Sequence, residues 1–210
     1  MHILLYILIW AAILFLPNRL LTNEYYHEYL GLTFLLLGGI HLLLVRRYLK
    51  ALVTLRLRVT ALNIVNVTML TLLVLVIVTG ILISLYAAPV IRLRGLTSIY
   101  VHGTHMAAAV IFYLIVGIHA GFHWRAIWNG ILRRLSLRLP PILTRLFNAC
   151  GVLIIIAGLH AFVTTHIYEK ILFEHMSFGG LLGTWEYQLD LLLIFVACMS
   201  CSYFYEQIRR

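Results

Sequence analysis

Charge is what this sequence has least of. Lys, Arg, Asp and Glu together make up 11% of the residues against 63% hydrophobic ones, and mean hydropathy is +1.00. A water-soluble globule carries about 25% charge, so this chain cannot cover itself with polar surface. Soluble, disordered and collagen-like classes are excluded together. Cysteine is scarce too. Cys150, Cys198 and Cys201 sit in apolar stretches and are too few for a disulfide framework. Glycine-rich phosphate loops, HExxH and Ser/His/Asp arrangements are missing, which leaves no nucleotide-handling or hydrolytic domain on this chain. The composition is that of an integral membrane protein.

Long apolar runs are what the sequence does have. A helix needs about 20 such residues to cross the hydrocarbon core, and six runs qualify, at roughly 3–20, 26–45, 63–87, 99–123, 146–165 and 185–205. The first is the shortest, with a purely apolar stretch from Ile3 to Leu16 followed by Pro17. It is read as a span and not as a cleaved leader, because no Lys or Arg opens it and no small-residue cleavage site precedes Pro17. The pieces between runs are too short for an independent soluble fold, so the expectation is one all-α transmembrane domain over 1–210.

The cations set an expected orientation. Arg46, Arg47, Lys50, Arg56 and Arg58 follow the second span, Arg125, Arg133, Arg134, Arg138 and Arg145 follow the fourth, and Arg209 and Arg210 close the chain. Twelve of the sixteen Lys and Arg thus fall on one side, which the positive-inside rule makes cytoplasmic, with both termini there. The net charge of +9 is accounted for by this asymmetry, and no nucleic-acid partner is needed to explain it.

Ten histidines in so apolar a chain require explanation, since an imidazole in lipid is costly without partners. Four form a pattern: His27 and His41 in the second span are 14 residues apart, as are His105 and His119 in the fourth. Fourteen residues return to within about 40° of the same helix face and rise about 21 Å. One span intervenes, so the two helices run in the same direction. His27 then meets His105 near the outer side, and His41 meets His119 near the inner side. Two facing imidazoles are what a six-coordinate haem iron takes as axial ligands. Ordinary polar bonding across a bundle would suit one such pair but suits two pairs of equal spacing poorly. His102 and His123 are alternative ligands in the fourth span. Zinc, gathered by His27, His102 and His105, is an alternative metal.

Other residues leave readings open. Gly38 beside His41 and Gly117 beside His119 would let a flat ring approach the backbone, or would serve close helix packing through Gly117-x-x-x-Gly121. Arg46, Arg47, Arg56 and Arg58 are propionate partners or, for most of them, headgroup anchors. Asn63 and Asn66 could hydrogen-bond a ligand imidazole or mark a helix end. His160, His166, Glu169 and His175 gather at the outer end of the fifth span. They would serve quinone proton exchange, a partner-docking surface, or a plain solvated loop.

The segments HEYLGLTFLLLGGIHLLL at 27–44, TGILIS at 79–84 and GIHAGFHW at 117–124 resemble the small bacterial cytochrome-b-like membrane proteins of the two-haem cytochrome b superfamily. The resemblance covers about 25–124 and says less about 140–210, which holds two further spans. It is similar in architecture to the b-type subunits of membrane-bound formate dehydrogenase, hydrogenase and thiosulfate reductase. It implies a six-helix bacterial inner-membrane protein with a haem-binding four-helix bundle and two haem b groups, held by His27, His41, His105 and His119. By the same resemblance, electrons would pass between a quinone and an extracytoplasmic flavin, molybdenum or iron–sulfur subunit. Two alternatives stand beside it: a transmembrane metal or ferric reductase with a separate donor chain, and a non-redox transporter or assembly protein.

Overall fold

The computed structural model describes residues 2–54, 58–137, 140–174 and 184–209, and every regular element among them is helical. The order is α1 (His2–Phe15), α2 (Arg19–Leu44), α3 (Arg46–Val53), α4 (Ala61–Ile83), a 3-10 turn at Pro89–Ile91, α5 (Leu96–Arg134), α6 (Pro141–Thr164), α7 (Ile167–Ile171) and α8 (Thr184–Ile208). Among the described residues, α2, α4, α5, α6 and α8 are long and apolar enough to cross a membrane. The chain is a multi-pass, all-helical membrane protein.

The first element departs from the six-span expectation. With 14 residues α1 reaches about 21 Å, well short of a ~30 Å hydrocarbon core. Pro17 ends it, because a residue before proline is driven out of the helical region. Asn18 then caps α2, its Oδ1 accepting from Leu21 N at 3.2 Å. This Asn is fully buried, and its amide donates to Thr184 O at 3.0 Å and Gln188 Oε1 at 3.1 Å, while Gln188 donates to Leu14 O at 2.9 Å. Two amides thereby pin the α1–α2 turn to the start of α8 with their polar atoms satisfied. The backbone of α2 breaks at Asn23 (φ 47°), whose side chain accepts from Tyr26 N at 3.1 Å, so the helical stretch that carries His27 starts afresh there.

Side-chain contacts give the helix directions. His27 faces His105 and Phe34 faces Phe112, so α2 and α5 run parallel. Asn66 meets His119 and Thr79 meets His105, so α4 runs antiparallel to α5. α5 and α8 are parallel, with Tyr113 donating to Leu191 O at 2.9 Å and Gly117 and Gly121 lying against Phe195 and Met199. α6 packs on the far side of α8, with Gly158 against Leu193 and Ala197.

Helix α5 is therefore the centre, with α4 on one side and α8 on the other. Its buried positions include Gly103, Ala107, Ala108, Gly117, Ala120 and Gly121, small residues that let helix backbones approach. By contrast α2 has no buried residue at all. It packs chiefly on α1 and reaches α5 through a few large side chains. Two short helices lie outside the expected spans. α3 exposes Arg46, Arg47 and Lys50 and half-buries Tyr48, Leu49 and Leu52, the pattern of a helix lying along a membrane surface.

Candidate functional site

The four patterned histidines occupy two levels between α2 and α5. At one level the rings of His27 and His105 face each other with centroids 6.3 Å apart and planes at 83°. His105 directs Nδ1 at Val76 O (3.1 Å) and Thr79 Oγ1 (3.2 Å), and His27 directs Nδ1 at Leu16 O (3.1 Å). A backbone carbonyl can only accept, so in both rings Nδ1 carries the proton and the lone pair is on Nε2. Gly80 makes room for His105, because a Cβ at that position would stand 3.0 Å from the ring. His102 precedes His105 by one turn of α5.

A carboxylate locks this level. Glu28 accepts from Ser84 Oγ (2.8 Å) and from the backbone N–H of Leu85 (2.7 Å), Tyr86 (2.9 Å) and Ala87 (2.9 Å). Consecutive amides converging on one carboxylate form an anion nest. It ties α2, one residue beyond His27, to the end of α4.

The other level, 14 residues further along each helix, holds His41 on α2 and His119 on α5, and the His119 and His123 rings are 4.7 Å apart. His119 Nδ1 is 2.7 Å from Asn66 Oδ1, so Asn66 bonds an imidazole and does more than mark a helix end. Asn66 Nδ2 donates to Tyr48 Oη at 2.6 Å, Tyr48 donates to Asn63 Oδ1 at 2.6 Å, and Asn63 Nδ2 donates to Arg58 O at 2.7 Å. His41 differs: its ring packs edge-on to Tyr6, with centroids 5.7 Å apart, and its buried Nδ1 has no partner. His123 is exposed.

The glycines divide. Nothing lies within 4 Å of where a Cβ on Gly38 or Gly39 would stand, and Gly38, about 60° around the helix from His41, leaves the surface beside that ring open. At Gly117 the contacts are those of helix packing. A Cβ there would meet Phe195 O at 2.9 Å, and one on Gly121 would collide with the backbone of Met199, so this Gly-x-x-x-Gly serves the α5–α8 contact.

The cluster beyond α6 is local. His166, in left-handed backbone, bonds Glu169 at 2.9 Å and Tyr168 Oη at 3.1 Å, and Lys170 donates to Tyr187 Oη at 2.9 Å. His160 is exposed, while His175 and Arg56 lie outside the described residues. An apolar groove of about 340 Å³ runs between α1, α5 and α8, bounded by Trp10, Trp124, Phe195 and Met199. Among the described residues no three His, Cys, Asp or Glu side chains converge to hold a bare metal ion, and that includes the zinc trio His27, His102 and His105.

Spacing had singled out the histidines but not Glu28, Thr79, Gly80 or Tyr48, whose partners are remote in sequence. One missed signal was visible: each histidine pair has a phenylalanine at its midpoint, Phe34 and Phe112. No protein-family model, curated protein or solved structure matches this chain.

Proposed function

We propose that this chain is a two-haem b-type membrane cytochrome, with α1 as a short sixth segment. It sits in the bacterial cytoplasmic membrane with both termini inside. Electrons move between the quinone pool and an extracytoplasmic flavin, molybdenum or iron–sulfur partner. The observation that carries this reading is the His27–His105 pair, at 6.3 Å between centroids with both Nδ1 atoms bonded away. At that separation a metal ion would fit between the two rings, and a bound haem iron would take both imidazoles as ligands. Ligand histidines ordinarily hold a carbonyl, carboxylate or amide with their second nitrogen, as His27, His105 and His119 do here.

On this reading His27 and His105 are ligands at the outer level, and His41 and His119 at the inner level. His102 and His123 stand beside them. The bound haems would supply one-electron chemistry at two depths. The chain's own part is to present Nε2 of each ligand, to bury the site among apolar helices and to hold the two levels apart by about 21 Å of helix rise. The open surface at Gly38 leaves room for a flat ring next to His41.

A haem count on the purified protein, with reduced-minus-oxidised spectra, tests this. Two b-type haems per chain are expected, one lost in His27→Ala and the other in His41→Ala. A colourless, folded protein would overturn the reading and favour a metal or proton transporter. A two-haem protein that reduces ferric chelates and ignores quinol would point to a metal reductase.

A further inference from the structure

We propose that Tyr48, on the surface helix α3, sets the tautomer and the donor strength of His119, acting as a positioning residue for the inner redox centre. This rests on the two-haem reading for its effect on potential, but not for its effect on the ring proton.

The inference follows from hydrogen-bond capacity along one chain. Arg58 O is a backbone carbonyl and can only accept, so the group 2.7 Å from it must be the amide nitrogen of Asn63. The oxygen of Asn63 therefore faces Tyr48, which spends its single proton there at 2.6 Å. Having given that proton away, Tyr48 Oη can only accept from Asn66, so Asn66 turns Nδ2 to it, also at 2.6 Å. That leaves Asn66 Oδ1 for His119, and a bond of 2.7 Å to this oxygen requires the proton on Nδ1. Each orientation is forced by the one before it, from a main-chain carbonyl between α3 and α4 to a ring in the middle of α5.

Tyr48 is the decisive link because its one oxygen both donates to Asn63 and accepts from Asn66, and so passes the direction of donation from one amide to the other. With its hydroxyl gone, Asn66 loses the acceptor that orients it and is free to turn its Nδ2 toward His119. His119 would then accept on Nδ1 and carry its proton on Nε2, the nitrogen needed for ligation. Even without a flip, a chain whose bonds all point one way polarises along its length, so shortening it weakens the last bond and makes the imidazole a poorer donor. His105 and His27 each hold a main-chain carbonyl, which no side-chain substitution removes, with Thr79 Oγ1 as a further contact of His105. The two levels are thus fixed by different devices, and only the His119 level answers to the surface helix.

The experiment is redox titration of the two haems in the full-length protein, in wild type and in Tyr48→Phe, Asn66→Leu and Asn66→Asp. In Tyr48→Phe one haem is expected to be lost, where Asn66 turns, or to rise in midpoint potential, as that same haem should in Asn66→Leu, because a weaker donor favours ferrous iron; its potential should fall in Asn66→Asp. The other midpoint should stay put in all three. Unmoved potentials, or both haems shifting together, would overturn the proposal. If the purified protein holds no haem, the cytochrome reading fails, and histidine-ring ¹⁵N spectra of the same proteins decide the remainder. One ring must then leave the Nδ1–H form in Tyr48→Phe, and an unchanged set of ring tautomers would overturn the claim.

Discussion

Phe34 and Phe112 meet edge to face with ring centroids 6.0 Å apart, each seven residues beyond one patterned histidine and seven short of the next. The same offset of 78 residues relates His27 to His105, Phe34 to Phe112 and His41 to His119. Two parallel helices are therefore in register through the thickness of the bundle, and the aromatic pair separates the two histidine levels at their midpoint. Phe112 is buried in the core, whereas Phe34 is only partly covered. Phe112→Ala should cost about 3–5 kcal/mol. Phe34→Leu should cost under about 1.5 kcal/mol, being near to a volume-conserving swap. Unfolding in SDS–detergent mixtures would rank the two.

Pairing in register makes a prediction about which substitutions share an effect. His27→Ala and His105→Ala should remove the same spectral component, and His41→Ala and His119→Ala the other. His102→Ala and His123→Ala should leave both components in place. A haem count and low-temperature difference spectra of the six variants would read this out, and loss of a haem in His123→Ala would reassign the inner ligand.

Glu28 should matter for the His27 level as much as a ligand does. It accepts four hydrogen bonds, three from consecutive backbone amides. Glu28→Gln keeps the shape but places an NH2 among donors, leaving amides of the 84–87 turn unpaired at about 1–3 kcal/mol for such a group. Lower unfolding resistance is expected, together with selective loss of the component assigned to His27 and His105. The His41 component should persist.

Glycine substitutions separate the two uses of small residues. Gly121→Ala drives a methyl into the α8 backbone at Met199, and overpacking of this kind costs about 1–3 kcal/mol or more. Gly38→Ala meets no atom within 4 Å, and a helix interior gains about 0.5–1 kcal/mol from that exchange. On the two-haem reading Gly38→Ala should still lower haem occupancy at the His41 level while the haem-free protein becomes more stable. Melting curves with and without added haem would show the opposite signs.

The amide pair at the α1–α2 turn supplies a structural control that bonds to no histidine itself. Gln188→Leu leaves Leu14 O without its donor and removes one acceptor from the buried Asn18. A loss of about 1–3 kcal/mol is expected from unsatisfied buried groups. Both spectral components should remain, since the substitution leaves Leu16 O and Tyr6, the groups of this segment that touch His27 and His41, in the chain.

Much of this molecule follows from local rules that one chain carries within itself. Hydropathy runs of span length place α2, α4, α5, α6 and α8, because a helix in lipid must satisfy its own backbone and be apolar for about 20 residues. The 14-residue repeat of His27/His41 and His105/His119 put like residues on one face of each helix, because helical periodicity is a local property. The first segment ends short of its expected bounds, because Pro17 and Asn18 turn the chain after 14 helical residues. What only the tertiary structure decided is which groups meet across helices. That Gly117 serves α8, that Glu28 grips the 84–87 turn, and that Tyr48 orients Asn66 toward His119 each depend on rotation and depth between segments tens of residues apart. Lipid solvates every apolar face alike, so hydrophobicity cannot choose the partner of a membrane helix. Close packing of small residues and the need to pair every buried polar atom make that choice, and both are satisfied only in three dimensions.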